Sequence, residues 1–297
     1  MVTGVAKLAE INLTSRFLDN PHRGLVLSLS SGAVPRQFSW VMGRSPNSQN
    51  RLYVVQGDIL RTEAADPAKV EDPRLIIYNA MKMTRVPPRS FYIVSNGDQT
   101  DSVDTMCTSL DSPEAGVAFT YALRSRHCEP DAPTFTPRIT GVQESDHLEI
   151  AYFSVLKADP FAREAWLTTI NTYGLKKDDY RQAGMSESQV TEAFNQAVGE
   201  KCGLNHHEFP TIRNFFEVPL HPGFGVCLTT YMPGSKELPS FEGEPFPVVL
   251  GEETLEETMQ SLWNRLAPEW RVALGGREFH DDEYRMATPI NRFEKVQ

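Results

Sequence analysis

Phe91-Tyr92-Ile93-Val94-Ser95-Asn96-Gly97-Asp98-Gln99-Thr100-Asp101 is the stretch where the chain passes from strands to helices. Its first four residues are β-branched or aromatic and read as a strand, and Asn96-Gly97 is a tight-turn pair. Asp98 or Thr100 can cap a helix, Asp101 and Asp104 complement the dipole of its first turn, and Val103, Met106, Cys107 and Leu110 recur at helical spacing. Ser112-Pro113-Glu114 reads as a second helix start, with apolar residues continuing to about Arg126.

Upstream of this switch the chain reads as strands. Gly24 to Leu29 and Gln37 to Met42 flank a turn at Ser31-Gly32, Leu52 to Val55 follows, and a long run extends from Leu75 to Met83. These runs are continuously apolar, as expected of a sheet covered on both faces. Downstream, Cys128 to Pro137 carries three prolines and reads as a loop. Strands resume at Pro137 to Val142 and His147 to Val155, while Asp159 to Gln182 fits neither pattern. A helix opens at Ser186 and ends near Gly203; Phe215 to Val218, Gly225 to Tyr231 and Pro247 to Leu250 read as strands, Glu252 to Leu266 as a helix, and Trp270 to Leu274 as the last strand. This order is α+β, and with no repeat or dividing linker it predicts one compact multilayer domain over residues 1–297.

Composition narrows the function. A chain of 297 residues, 40% of them hydrophobic, can bury a large core. Its net charge of −10 and the absence of a Lys/Arg block argue against nucleic acid as partner. No apolar run approaches the ~20 residues of a membrane span. Met1-Val2-Thr3-Gly4-Val5 lacks a charged start and a long apolar stretch, so a cytoplasmic location is expected. The four cysteines lie far apart without C-x-x-C spacing, as thiols do when they serve as small hydrophobes in a reducing compartment. His206 and His207 adjoin, would point to opposite sides of a strand, and have only Cys202 as a nearby soft ligand, so a structural zinc site is not expected. A homo-oligomer is left open.

The polar segment Gly43-Arg44-Ser45-Pro46-Asn47-Ser48-Gln49-Asn50-Arg51 carries the first candidate chemistry. Arg44 and Arg51 are guanidinium forks for phosphate or carboxylate, and Ser45 and Asn47 lie between them, a pattern that suits an anionic, amide-rich ligand; a solvated hairpin loop is the equal alternative. Arg23 is a weaker candidate of the same kind. Tyr78-Asn79 places an amide in an apolar strand, where either the fold or a ligand must pair it. Asn96-Gly97 is either a plain turn or a place where backbone N–H groups approach a ligand, and the acidic residues after it favour neutral parts of that ligand over a phosphate. The phosphate loop, the dinucleotide glycine motif, the nucleophile elbow and the zincin motif are all missing.

Taken together, Arg23-Gly24, the segment from Gly43 to Arg51, Tyr78-Asn79, Ser95-Asn96-Gly97 with Thr100-Asp101, and Thr136-Pro137-Arg138 resemble, in order and interval, the archaeal-type IMP cyclohydrolase family over roughly residues 20–155. Relative to the short archaeal members, residues of about 156–215 look like an insertion. The resemblance implies a four-layer αββα sandwich similar to the N-terminal-nucleophile hydrolases, but without their N-terminal nucleophile, in keeping with the Met1-Val2 start. It implies a purine nucleotide as ligand and closure of 5-formamidoimidazole-4-carboxamide ribonucleotide to IMP with loss of water, needing neither metal nor organic cofactor. On this resemblance Arg44 or Arg51 binds the phosphate or polarises the formyl oxygen, Asn79 and Asn96 orient the carboxamide, Tyr78 relays a proton, Asp101 is a base or an orienting group, and Arg138 closes the site. Arg23, Ser45, Asn47, Ser95, Gly97 and Thr100 complete the substrate-binding set. The alternatives are an amide hydrolase on the same fold and a purine-nucleotide-binding protein without turnover.

Overall fold

A computed structural model describes residues 22–70, 73, 76–110, 114–230, 244–250, 254–280 and 283–296. Among these, fourteen strands form two antiparallel sheets. The first holds β1 (Arg23–Leu29), β2 (Pro35–Met42), β10 (Phe224–Thr230), β11 (Phe246–Val249), β12 (Arg271–His280) and β13 (Glu283–Met286) in the order β11-β10-β1-β2-β12-β13, with β14 (Ile290–Asn291) paired to β12. The second is a meander in chain order: β3 (Arg51–Gln56), β4 (Ile59–Ala64), β5 (Asn79–Val86), β6 (Arg89–Ser95), β7 (Arg138–Glu144), β8 (His147–Ala158) and β9 (Thr211–Pro219). Six helices accompany them: α1 (Pro46–Gln49), α2 (Gln99–Ser109), α3 (Ala115–Leu123), α4 (Pro160–Tyr173), α5 (Glu187–Cys202) and α6 (Leu255–Arg265).

The alternation of side chains along each strand sorts the core. Leu25, Leu27 and Val41 of the first sheet meet Tyr53, Leu60, Met81, Val94, Ile139 and Phe153 of the second in one buried cluster. The opposite face of the first sheet, through Val26, Phe38, Trp40 and Leu274, packs against Leu255, Met259, Leu262 and Trp263 of α6. Phe91, Ile93 and Val142 on the other face of the second sheet receive Val103 and Cys107 of α2 and Ala118 and Phe119 of α3. Covering on both faces explains why β1, β2 and β6 are nearly or wholly buried.

One buried polar relay ties the two sheets together. Arg277, with no exposed surface, donates to Gln37 Oε1 (2.7 Å) and to the carbonyls of Ile93 (2.8 Å) and Lys82 (3.3 Å), and Gln37 donates on to Gln143 (2.9 Å). Burial pushes the Arg277 guanidinium down to about 9.

Several expectations are corrected. The long strand read from Leu75 begins at Asn79, because Thr62 takes over the hydrogen bonds of Tyr78: its backbone N–H and its hydroxyl both donate to Tyr78 O (2.9 and 3.2 Å), and Tyr78 N–H donates to Thr62 Oγ1 (2.9 Å). The register of β4 and β5 shifts beside this point. Strand β4 was not expected, and Asp159 to Gln182 resolves into α4 followed by a 3₁₀ turn at Lys177–Tyr180. The strand read over Trp270 to Leu274 begins at Arg271 as part of β12 and is not the last, since β13 and β14 follow it. Asp98 sits at the N-cap of α2 without a capping bond. His206 and His207 lie in a turn after α5, not on a strand, and both imidazoles face Glu192 (3.3 and 2.9 Å). Leu75, Ser112-Pro113, Tyr231, Glu252 and the Met1 to Val5 start fall outside the described residues.

The segment between β8 and β9 leaves and rejoins the second sheet at neighbouring strands, for β8 and β9 pair antiparallel from Ile150↔Pro219 to Ala158↔Thr211. Asp159 accepts from Phe161 and Ala162 N–H (3.0 Å each) to start α4, and Gly174, at φ 59°, ends it. Trp166 of α4 is fully buried with Val198, Phe209, Cys128 and Phe135.

Candidate active site

The starts of β1, β3 and β7 and the ends of β2 and β10 meet at one end of the sheets, and a cleft of about 510 Å³ opens there. It is lined by His22, Arg23, Gly43, Arg44, Ser45, Ser48, Arg51, Asp131, Thr134, Thr136 and Thr230, with Met42. Arg23 and Thr230 are register partners on β1 and β10, and Arg23 N–H donates to Thr230 Oγ1 (2.9 Å). The loop from Gly43 to Arg51 reaches the cleft because Gly43 lets Ser48 approach: a Cβ at Gly43 would lie 2.6 Å from both the Ser48 carbonyl and its hydroxyl.

Two guanidinium groups set the electrostatics. Arg51 is 1% exposed, donates from Nε to Ser48 O (2.8 Å), and leaves Nη1 buried with no partner among the described residues. Burial, and then the neighbouring charge of Arg23, lower the Arg51 pKa from its ordinary value. For Arg23 burial acts in the same direction, but Glu129, Tyr78 and Asp131 outweigh it and raise the pKa. Arg23 Nη1 donates to Asn96 O (3.2 Å) and makes a short ion pair with Glu129 Oε1. The Tyr78 hydroxyl is also buried without a partner among the described residues; burial raises its pKa against the pull of Arg23 and Arg51. Glu129, 3% exposed, leaves its second oxygen, Oε2, unpaired among the described residues. One donor on Arg51, one hydroxyl and one carboxylate oxygen therefore stand unsatisfied around the same pair of cations, where each costs about 1–3 kcal/mol unless a bound molecule completes it.

Asp131 adds a titratable group. Its carboxylate accepts from Thr136 N–H (2.6 Å) and Thr136 Oγ1 (2.5 Å), yet burial and the adjacent charge of Glu129 push its pKa up to about 7. The loop carrying both acids is held from behind. Phe135, in the left-handed region at φ 48°, stacks on Phe209 (3.7 Å between centroids) and meets Trp166 edge-on (5.4 Å). Such a backbone costs about 1 kcal/mol or more for a side chain with a Cβ, and the aromatic packing from the α4–α5 segment offsets it.

The expected residues divide into three groups. Arg23, Arg44, Ser45 and Arg51 line the cleft, and Tyr78 faces Arg23 and Arg51; exposed Arg44 stands at the rim with its guanidinium over Trp270 (5.6 Å). Ser95, Asn96, Gly97 and Thr100 instead build the turn below it. Asn96 Nδ2 donates to Pro137 O (2.9 Å), and its Oδ1 accepts from Ile139 N–H (2.8 Å) and Gln99 Nε2 (2.9 Å), while the Ser95 and Thr100 hydroxyls share a 2.5 Å bond. The third group is not among the residues that line the cleft: Asn79 Nδ2 donates to Asp101 (2.8 Å), and Arg138 pairs with Asp98 and donates to His127 O (3.0 Å). Asn47 is half-buried on α1. Glu129 and Asp131 are not among the expected residues, and Thr136 was named only as part of the Thr136-Pro137-Arg138 motif; the signal for the acids is two carboxylates two residues apart, either side of Pro130, in a proline-bearing loop.

Fold and site together define an α+β protein of two antiparallel sheets whose shared end holds a buried cationic cleft flanked by carboxylates. The chain belongs to the family described as IMP cyclohydrolase-like protein, whose family model matches residues 21–283, a span that includes every residue named in the cleft. A search of curated proteins finds no match.

Proposed function

We propose that this protein is an IMP cyclohydrolase, closing 5-formamidoimidazole-4-carboxamide ribonucleotide to IMP with loss of water. The carrying observation is the convergence of unsatisfied Arg51 Nη1, Tyr78 hydroxyl and Glu129 Oε2 around the buried guanidinium of Arg51 and the partly buried one of Arg23. The reading includes a four-layer αββα stacking similar to the N-terminal-nucleophile hydrolases, supported by α6 on one sheet and α2 and α3 on the other. It also takes residues of about 156–215 as an insertion within a single domain.

In this reading Arg44 and the Ser45 hydroxyl hold the phosphate at the rim, and Arg51 and Tyr78 donate to the formyl oxygen as charge develops on it. The carboxamide nitrogen is a poor nucleophile, so holding it beside the formyl carbon supplies much of the acceleration. As the C–N bond forms, one proton leaves the carboxamide nitrogen. As the C–O bond breaks, a second leaves the formamide nitrogen to give C=N, and both protons end on the formyl oxygen, which departs as water. Glu129 accepts and Asp131, with a pKa near neutrality, donates and recovers these protons; Tyr78 relays between them and the oxygen. Asn96, with its side chain committed to Pro137, Ile139 and Gln99, positions the turn whose carbonyl receives Arg23. Asn79 and Asp101, bonded to each other, act as orienting groups at the start of α2.

The test is absorbance-monitored formation of IMP by the purified protein with EDTA present. Turnover is expected, and Arg51→Met should lower kcat/KM by about 100-fold or more while the protein stays folded. Binding of the nucleotide without ring closure would instead assign a purine-nucleotide-binding protein, and neither binding nor turnover would remove the nucleotide reading.

A further inference from the structure

Away from the cleft, the α4–α5 segment carries a second group of chemistry-bearing side chains. Glu192 on α5, and His206 and His207 in the turn that follows, place one ligand atom each within 4.8 Å of one another. The carboxylate spans both rings, with Glu192 Oε2 to His206 Nε2 at 3.3 Å and Oε1 to His207 Nε2 at 2.9 Å. The two imidazoles lie 4.0 Å apart, so neighbouring histidines that would diverge on a strand converge here. An ion with tetrahedral bonds of about 2.0–2.1 Å holds its donors about 3.4 Å apart, a spacing that the two carboxylate–imidazole separations already approach.

A separate observation points to the same place. These three residues line an indentation of about 480 Å³ together with Asn195, which is 2% exposed and whose side-chain oxygen has no hydrogen-bond partner among the described residues. A buried amide oxygen left unpaired costs about 1–3 kcal/mol, and a cation or its bound water would satisfy it. Two imidazoles and a carboxylate are a donor set for zinc or a neighbouring first-row divalent ion, not for calcium or magnesium, which take oxygen.

We propose that Glu192, His206 and His207 form a binding site for a divalent transition-metal ion, with the Asn195 side-chain oxygen as the fourth donor, directly or through water. The ion is structural. It closes the turn after α5 back onto that helix, beside Trp166, whose ring lies 6.4 Å from that of His206 and packs against Phe135 in the acid-bearing loop. The site stands independently of the cyclohydrolase reading, because none of its ligands lines the cleft.

The full chain, freed of any affinity tag and stripped with EDTA, should be titrated with zinc chloride by calorimetry and with cobalt(II) by visible absorption. One equivalent should bind, cobalt should develop the intense visible bands of a four-coordinate site, and saturating zinc should raise Tm. His207→Ala, at a half-exposed position, should fold normally and weaken zinc binding by about 100-fold or more, and Asn195→Ala by about tenfold. Absence of saturable binding overturns the proposal, as does binding that His207→Ala and Glu192→Gln leave unchanged. Cyclisation activity measured in EDTA is a separate readout, so the two readings fail separately.

Discussion

Replacing Tyr78 by Phe separates stability from catalysis, because the change deletes one oxygen and leaves the ring in the core. That ring packs between the sheets with Leu25, Tyr53, Ala80 and Ile139, while the hydroxyl is buried without a partner among the described residues. A buried, unpaired hydroxyl costs about 1–3 kcal/mol. Deleting it recovers part of this and leaves a small void, for a net gain of about 1 kcal/mol, or about 2 °C in Tm for a chain of this size. If the same hydroxyl stabilises charge on the formyl oxygen, its loss lowers kcat by about 10²–10³ with KM little changed. Thermal melts with and without IMP, beside the absorbance assay, give both halves: the variant should melt above the wild type alone and gain less from the nucleotide. A variant that melts lower and turns over normally would refute the reasoning, since the hydroxyl would then be a structural bond.

Two further outcomes follow from the same geometry. Asn96→Ala orphans Ile139 N–H and Pro137 O and should lower unfolding free energy in urea by about 2–4 kcal/mol, with kcat per folded molecule falling far less than for Tyr78→Phe. Asp131 has a folded-state pKa raised to about 7 above an ordinary 3.8, so the folded protein binds the extra proton: stability from this group is greatest in acid and falls as pH rises to about 7. Urea midpoints across that window should show the slope in the wild type, and Asp131→Asn should flatten it.

Much of the strand framework was legible because β1, β2 and β6 are covered on both faces and so read as unbroken apolar runs. β4 was overlooked although Leu60, Thr62 and Ala64 are its buried residues at period 2, since Thr62 and the charges Arg61 and Glu63 hid the pattern. α4 carries Asp159, Pro160 and Gly174 as start and stop signals, but Phe161 is 85% exposed and Trp166 is the helix's one buried residue, so its apolar periodicity is weak. Of the residues that line or face the cleft, Arg23, Arg44 and Arg51 were picked out by residue type and Tyr78 through the family resemblance. Glu129 and Asp131 were not, because only the fold brings a loop 106 residues along the chain onto Arg23. Asn79 and Asp101 were read as separate site residues, one to orient the carboxamide and one as a base or orienting group; only the fold shows that they bond to each other.

The two sheets differ in how the chain supplies them. The second is drawn from one unbroken stretch, Arg51 to Pro219, with each strand beside the next, whereas the first takes β1 and β2 from one end of that stretch and β10 through β14 from the other. On a growing chain emerging from the ribosome, the local pairings of the meander can therefore form while β12, an interior strand of its counterpart, is still unmade. Arg23 gains its β10 partner Thr230 only after that strand is synthesised, so the cationic cleft is assembled late, after the carboxylates of its loop are already in place. Nascent chains arrested before residue 224 should accordingly protect the meander from protease yet bind no nucleotide.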